Sequence, residues 1–303
     1  MGRKRRRSDK ESSDDAGSHS DDAGSQSDGG SHSDGGSSVA SGGLVNVDFE
    51  FFSPAPIDFH AMKRMLAGSF ADDAEEFELS ALVDLILEQC GIGSTVKMDG
   101  DADPYAFVTA VGLREHADKP AVQQIVGYLR RKDRGAVMRE VLDGNTALLL
   151  SERVVNMPPQ VVPPMLRMLG DELQNAARLG EPFDFEYLVL VCPMYRETPR
   201  PAGSDSEAES EAESEAEADP KSKPGPARPA TADAIDAYAH PEDEIIEEFA
   251  CCKFDFALSR SNRVADARNT FADAGLTPSR RCLALRAADI PRIVARLEAA
   301  LEP

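Results

Sequence analysis

The sequence predicts a mixed α/β domain, with helices packed on a central sheet, because three apolar patterns occur in one chain. Residues 187–192 (Y-L-V-L-V-C) form a continuous apolar run, which is typical of a strand covered on both faces. Residues 249–258 alternate apolar with polar side chains, as a strand buried on one face does. Residues 289–301 repeat apolar side chains with the helical period.

The same patterns divide most of the chain into elements. Strands are predicted at residues 44–52, 91–98, 105–113, 148–155, 187–192, 249–258 and 281–286. Helices are predicted at residues 57–66, 81–90, 120–131, 136–142, 163–178 and 289–301. Ser80 is expected to cap the second helix, and Gly180 to stop the fifth. Together these elements form one domain over residues 44–303, with about 220 residues outside the biased segments, enough for one substantial core.

The most unusual stretch is residues 148–166. Residues 148–150 and Val154 are predicted to lie in a core strand. Four prolines then follow within seven residues, between 158 and 164, and each fixes φ and removes an amide donor. We expect the Pro158-Pro159 turn to set the direction of the helix that follows.

Three polar residues, Ser151, Glu152 and Arg153, interrupt the apolar part of this stretch. They could be imagined as a nucleophile, a base and an anion clamp. Because neighbours in a strand point to opposite faces, Ser151 and Arg153 share a side and Glu152 does not. The sequence therefore favours a structural salt bridge or a loop-positioning role over catalysis. Arg153 is also a candidate contact for a protein client.

Residues 1–43 are predicted to be a disordered tail. Within it, residues 12–38 repeat Ser, Asp and Gly with almost no large apolar residue, so they cannot bury enough surface to offset chain ordering. The tail begins with five consecutive cations, which predict a nuclear-localisation signal, the alternative being a solvated basic terminus. These cations are Arg3, Lys4, Arg5, Arg6 and Arg7.

An acidic insertion at residues 199–236 is the second biased segment. Residues 204–219 hold eight acids and no base, and the segment is expected to hang from a hairpin as a disordered loop. It is either a solubilising spacer or an electrostatic lure for a basic protein. In the second interpretation the candidate contacts are Glu207, Glu209, Glu211, Glu213, Glu215 and Glu217.

Composition bounds the classes of partner. The net charge of −21 disfavours nucleic acid and anionic membranes and favours basic proteins. The five cysteines form no CxxC pair and no Cys/His spacing for a metal, so we expect reduced, mostly buried thiols. No window is long and apolar enough for a transmembrane helix.

The common catalytic motifs were sought in the sequence. It contains no G-x-x-x-x-G-K, G-x-G-x-x-G, G-x-S-x-G or H-E-x-x-H motif. The sequence therefore predicts no cofactor, no metal and no catalytic residues.

Residues 148–166, together with G-I-G-S-T-V-K (91–97) and C-C-K-F-D-F (251–256), resemble the BCCIP family of acidic nuclear proteins. The resemblance spans about residues 45–301 outside the insertion. It implies a fold similar to the GNAT acetyltransferase superfamily. That superfamily binds coenzyme A through R/Q-x-x-G-x-G/A, and the nearest match, residues 124–129, ends in leucine inside a helical pattern. Fold similarity without that site does not imply the activity.

The resemblance also implies a function. We expect a non-enzymatic nuclear protein that chaperones a basic client, such as a large-subunit ribosomal protein, and takes part in nuclear export and ribosome biogenesis. The expected partners are this client and the nuclear transport machinery, with cell-cycle and DNA-repair proteins as further partners. The competing hypothesis is a GNAT-type acetyltransferase that has diverged in its cofactor loop.

Overall fold

One sheet runs through the computed structural model, which describes residues 48–89, 91–98, 100, 102–197, 236–259 and 276–302. The strands lie in the order β1-β2-β3-β4-β5-β8-β7, and β6 pairs with β5 off this path. All neighbours are antiparallel except β4 and β5, which are parallel. The strands are β1 (Glu50–Phe52), β2 (Ser94–Lys97), β3 (Ala106–Gly112), β4 (Thr146–Arg153), β5 (Tyr187–Glu197), β6 (Asp236–Tyr238), β7 (Ala250–Ala257) and β8 (Leu276–Arg286).

Helices cover both faces of the sheet. Within the described residues they are α1 (Phe59–Phe70), α2 (Leu79–Glu88), α3 (Pro120–Lys132), α4 (Arg139–Asp143), α5 (Val162–Arg178), α6 (Pro241–Glu247) and α7 (Ile290–Leu301). Short 3-10 turns lie at Pro56–Asp58, Ala71–Glu76, Pro159–Val161 and Ala287–Asp289.

Two apolar cores result from the alternation of strand side chains. Helices α1 to α4 pack on one face, where they meet Leu148 and Leu150 of β4. Helices α5 to α7 pack on the other face, where they meet Leu149. The mixed α/β class predicted from the sequence is therefore confirmed, as three layers with the sheet in the middle.

Several predicted elements match closely. The helices predicted at 120–131, 163–178 and 289–301 are α3, α5 and α7, each within one or two residues. Gly180 stands two residues after α5 with φ of +79°, a conformation that glycine adopts without strain and that ends the helix. The two prolines of α5 lie in its first turn, where missing amides break no helical hydrogen bond.

Other predictions were wrong in detail. Val154 lies beyond the end of β4 and is 38% exposed, so it belongs to the surface and not to the core strand. Ser80 is inside α2 and does not cap it; its hydroxyl accepts a hydrogen bond from Lys63 Nζ. Strand β8 begins at Leu276 instead of 281. Strand β6 and helix α6 were not predicted.

The acidic insertion starts and ends at one point on the sheet. Strand β6 pairs antiparallel with the end of β5, and Arg196 and Asp236 are direct partners in that register. Arg196 Nε and an η nitrogen also bind both carboxylate oxygens of Asp236, at 2.8 and 3.1 Å. An antiparallel strand pair therefore flanks the insertion, but its second strand is β6 and not the strand predicted at 249–258, which is separated from β5 by β8. Asp236 belongs to β6. Residues 198–235 and 1–47 lie outside the described residues, so their predicted disorder stays a prediction.

The remaining sequence expectations concern thiols and membranes. Cys192 and Cys282 are buried and unpaired, Cys252 is half-buried and Cys251 is exposed. None of the helices that the structure describes is long and apolar enough to cross a bilayer.

Candidate functional site

The parallel strands β4 and β5 part soon after they meet. They share three residue pairs, from Thr146↔Tyr187 to Leu148↔Val189. Strand β8 pairs with β5 along its whole length on one side, so β6 must pair on the side that β4 leaves. The space between the parted strands is therefore taken by β6 and the helix that follows it, α6.

A buried ion pair joins the end of β4 to α6. Arg153 Nε donates to Glu242 Oε1 (2.6 Å) and an η nitrogen donates to Oε2 (3.0 Å). The other η nitrogen donates to the carbonyl of Met157 (2.7 Å), in the turn after β4. The side chains of Arg153 and Glu242 are 7% and 4% exposed. All of this favours the internal ion pair over client contact, because the guanidinium has little access to solvent.

His240 lies beside this pair but is not part of it. Its Nδ1 is 3.9 Å from Glu242 Oε1. Burial lowers the pKa of His240, although Glu242 acts in the opposite direction. The imidazole is therefore neutral at pH 7, and the approach to Glu242 is not an ion pair.

An acid of α6, Asp243, and a thiol of β5, Cys192, are buried together. Burial, reinforced by the charges of Glu242 and Glu152, raises the pKa of Asp243 well above its ordinary value. Burial also raises the pKa of Cys192, with the charge of Asp243 as the second cause. Burial thus disfavours the charged form of both groups. A buried thiol with a raised pKa is a poor nucleophile, so Cys192 is a poor candidate for a catalytic residue.

A second polar network fastens the same segment to β7 and β8. Arg281 donates to both oxygens of Asp255 (2.6 and 2.8 Å) and to Glu247 Oε2 (2.7 Å). Burial alone would raise the pKa of Glu247, but hydrogen bonds from Lys253, Tyr238 and Arg281 lower it to about 2. Helix α6 is therefore held by charged contacts on two sides, from β4 and from β7–β8.

The three polar residues of β4 do not assemble into a catalytic group. Glu152 faces the α1 layer, where its carboxylate meets Ser69 and the charge of Arg280. Arg153 faces α6 on the other side of the sheet. Burial raises the pKa of Glu152 to about 7 against the opposing effects of these two neighbours. The alternation expected from the sequence is confirmed.

Cofactor and metal sites were examined among the described residues. The nearest match to a coenzyme A loop, residues 124–129, lies inside α3, where the amides are used by the helix. Helix α5, which lies between β4 and β5 in the chain, has prolines at its second and third positions and so lacks two first-turn amides. No group of three His, Cys, Asp or Glu side chains in the described part is arranged to hold a metal ion.

The described part of the chain is strongly acidic in composition. It contains 33 Asp and Glu against 20 Lys and Arg, a formal net charge of −13 out of the total −21. At least twelve of those 20 cations already pair with a carboxylate. The folded part therefore carries an acidic field of its own, which the sequence reasoning had assigned chiefly to the insertion.

The remaining predicted site residues cannot be placed. The cations Arg3, Lys4, Arg5, Arg6 and Arg7 lie outside the described residues. So do the acids of the insertion, Glu207, Glu209, Glu211, Glu213, Glu215 and Glu217. Their roles in nuclear import and client contact stay predictions.

Fold and site together define an acidic three-layer α/β protein. Its most extensive polar contacts, those of Arg153 and Arg281, hold α6 against the sheet. The BCCIP family model matches residues 44–246, and the chain belongs to the BCCIP family. Protein bcp1 of Aspergillus oryzae is 36% identical over 245 residues, which cover 77% of this chain and 79% of that protein. Protein bcp1 of Schizosaccharomyces pombe is 35% identical over 270 residues, covering 86% and 91%.

A solved structure gives the same assignment. The crystal structure of BCP1 from Saccharomyces cerevisiae matches with a TM-score of 0.55 and 25% sequence identity. The match covers 84% of this chain and 89% of that one. The mixed α/β fold is therefore shared with a family member of known structure.

Proposed function

We propose that this chain is a non-enzymatic nuclear protein that binds and shields a basic client, such as a large-subunit ribosomal protein, during nuclear export and ribosome biogenesis. The observation that carries the proposal is the acidic excess of the folded part, 33 acids against 20 bases. A field of this sign attracts and retains basic proteins. Membership of the BCCIP family supports the nuclear setting, and cell-cycle or DNA-repair proteins are further candidate partners.

Affinity capture of the tagged full chain from nuclear extract, at low and moderate salt, tests the proposal. Quantitative mass spectrometry should find strongly basic proteins enriched, with recovery falling as salt rises, because salt screens exposed charges over about 8 Å at physiological strength. A charge-matched unrelated acidic protein serves as the control for non-specific capture. Partners that are neutral or acidic, or that are retained equally at both salts, would contradict the proposal.

Nuclear entry is the second part of the proposal and rests on Arg3–Arg7. Replacing all five cations with alanine should shift a fluorescent fusion to the cytoplasm. A fusion that replaces Lys221, Lys223 and Arg228 instead is the matched control, because it removes cations from another part of the sequence. Equal nuclear accumulation of the parent and the five-alanine variant would show that Arg3–Arg7 are not the nuclear-localisation signal.

An acetyltransferase-like fold is the finer structural part of the proposal. One parallel strand pair that parts within an otherwise antiparallel sheet supports it. A diverged acetyltransferase is the alternative function, but β6 and α6 take the space between the strands and prolines occupy the start of α5. Calorimetry with acetyl-coenzyme A should give no heat of binding. Stoichiometric binding at micromolar concentration would favour the enzyme instead.

A further inference from the structure

We propose that exposed apolar side chains at one end of the sheet form the docking surface for a basic protein segment that carries apolar side chains of its own. This inference rests on the proposed function and states where the client binds. The surface consists of the exposed residues Met98, Val154 and Val155 and the half-buried Tyr105 between them, and it is called the strand-end patch.

The topology brings these four residues together. Strands β2 and β4 are both antiparallel to β3, so they run in the same direction and end at the same end of the sheet. Met98 directly follows β2, and Val154 and Val155 directly follow β4. Tyr105 lies between them at the start of β3: its amide donates to Val96 O (2.8 Å) and its carbonyl accepts from the Val154 amide (2.8 Å).

The patch is unusual in its exposure. Met98 is 49% exposed, Val154 38% and Val155 89%. These are three of the six large apolar side chains that are exposed in the described part of the chain. Single exposed apolar residues are common on protein surfaces, whereas clustered ones mark contact sites.

The turn that carries the valines is rigidly supported. The Met157 amide donates to the carbonyl of Val154 (2.9 Å), and Met157 itself is buried. Arg153, fixed by Glu242, holds the Met157 carbonyl from below. Val155 is therefore presented to solvent on a backbone that is already ordered, so a partner would lose little conformational entropy in the turn on binding.

Acidic side chains stand around the patch. Strand β1 is antiparallel to β2 and therefore starts at this same end, where Asp48 and Glu50 are exposed. Between them Phe49 packs edge-on against Tyr105, with ring centres 5.8 Å apart. Asp103, two residues before Tyr105, is also exposed, but Arg64 offsets its charge, so the acidic excess at the rim comes from Asp48 and Glu50.

The cations nearby are already paired. Lys97 is buried with Asp58 at 2.6 Å, and Arg153 is buried with Glu242. Arg64 is exposed and pairs with Asp103 at 2.7 Å. The patch is thus apolar at its centre and acidic at its rim, which complements a segment with cations around an apolar anchor.

The acidic rim of the patch also favours one kind of binding partner over others. A second copy of this chain would bring one acidic rim against the other, and like charges in contact oppose association. A nucleic acid would meet the same repulsion. The rim therefore favours a basic protein segment.

Two synthetic peptides of about 18 residues test the proposal: a lysine-rich helix with leucines along one face, and the same peptide with serine for leucine. The parent should bind the leucine peptide more tightly. The double variant Met98→Ser/Val155→Ser should lose about tenfold in that affinity, because the apolar contacts are removed. The control Leu179→Ser changes an equally exposed apolar residue (78%) elsewhere and should bind like the parent.

Methyl NMR of the full chain locates the contact. Addition of the leucine peptide should shift the methyl signals of Met98, Val154 and Val155 and leave those of Val137 and Leu179 in place. Unchanged affinity of the double variant, or shifts confined to other methyl groups, would overturn the proposed patch while the proposed function stands. Absence of any peptide binding by the parent would count against both.

Ultracentrifugation of the peptide-free chain tests whether a second copy of the chain binds to the patch. The parent should sediment as one species over a hundredfold range of concentration. A parent that self-associates, combined with a Met98→Ser/Val155→Ser variant that does not, would assign the patch to a second copy and overturn the proposal.

Discussion

The two halves of β4 are stabilised in different ways. From Thr146 to Leu150 every side chain is buried, and Leu149 enters one core while Leu148 and Leu150 enter the other. From Ser151 to Arg153 the residues are polar and, taken whole, half-buried, although the side chain of Arg153 is only 7% exposed. The change falls soon after the last residue that pairs with β5, Leu148. Non-directional apolar burial holds the first half, and directional hydrogen bonds and ion pairs hold the second.

The difference matters because the second half depends on distant partners. Glu152 faces the charge of Arg280 on β8, and Arg153 pairs with Glu242, 89 positions along the chain. Apolar burial tolerates many neighbours of suitable size, whereas an ion pair needs one partner in one geometry. The end of β4 is therefore a place where the part of the domain before the insertion is tied to the part after it.

The largest expected effect comes from breaking the apolar half. Leu149→Asp places a charge in a fully packed core, where truncation of a leucine alone costs about 2–5 kcal/mol. We expect an insoluble or molten chain, judged by loss of a cooperative thermal transition in circular dichroism. The control Leu179→Asp, at an exposed position, should melt like the parent. Cooperative melting of Leu149→Asp near the parent temperature would mean that this strand is misplaced.

The next effect comes from the polar half. Arg153→Met leaves the buried carboxylate of Glu242 without its ionic partner. It should therefore lower the free energy of unfolding by about 3–5 kcal/mol. The double variant Arg153→Met/Glu242→Met removes both charges and should recover much of that loss, which urea denaturation measures. If Arg153→Met is as stable as the parent but captures less client, the arginine serves the partner and the internal role assigned to it is wrong.

A smaller effect, a pH dependence of the melting temperature, is expected for Glu152. Burial raises the folded-state pKa of Glu152 from 4.5 to about 7, so folding favours the protonated form. Its favourable contribution is complete below pH 4.5 and is lost as the pH rises through about 7. Glu152→Gln, which mimics the protonated acid, should therefore raise the melting temperature over the parent more at pH 8 than at pH 5. The exposed substitution Glu140→Gln is the control. An equal difference at both pH values would show that Glu152 does not titrate in this range.

Much of the fold could be predicted because most of its elements have a recognisable local sequence pattern. Helices α5 and α7 have long apolar stripes and clear stops, and residues 148–150 are an unbroken apolar run. Strand β6 and helix α6 could not be predicted, since they are three and seven residues long and strongly acidic in sequence. Their stability comes from Arg153 and Arg281, which no local pattern contains.

The same limit applies to the candidate site. The sequence placed Ser151 and Arg153 on one face of β4, which is correct, but it could not supply Glu242 as the partner. Val154 was assigned to the core because it is apolar, and only the end of the β3–β4 pairing shows why it is exposed. The acidic excess of the folded part can be counted from the sequence only once the structure shows which residues belong to it.

The smallest expected effect on stability, and the most direct test of electrostatic client capture, comes from deleting residues 204–219 and closing the gap with a short Gly/Ser linker. The Arg196–Asp236 contact closes the hairpin without this segment, so the melting temperature should stay within a degree or two of the parent, or about 0.5 kcal/mol. A fall of many degrees would mean that the segment is structural.

The decisive measurement is the association rate of the parent and this deletion with a basic ribosomal protein recovered by affinity capture, followed by stopped flow across a salt series. The account predicts a rate that falls steeply with salt for the parent and less steeply for the deletion, because the folded part still carries its own acidic excess. Superimposable curves would make the insertion a spacer. A parent rate that does not change with salt would contradict electrostatic capture itself.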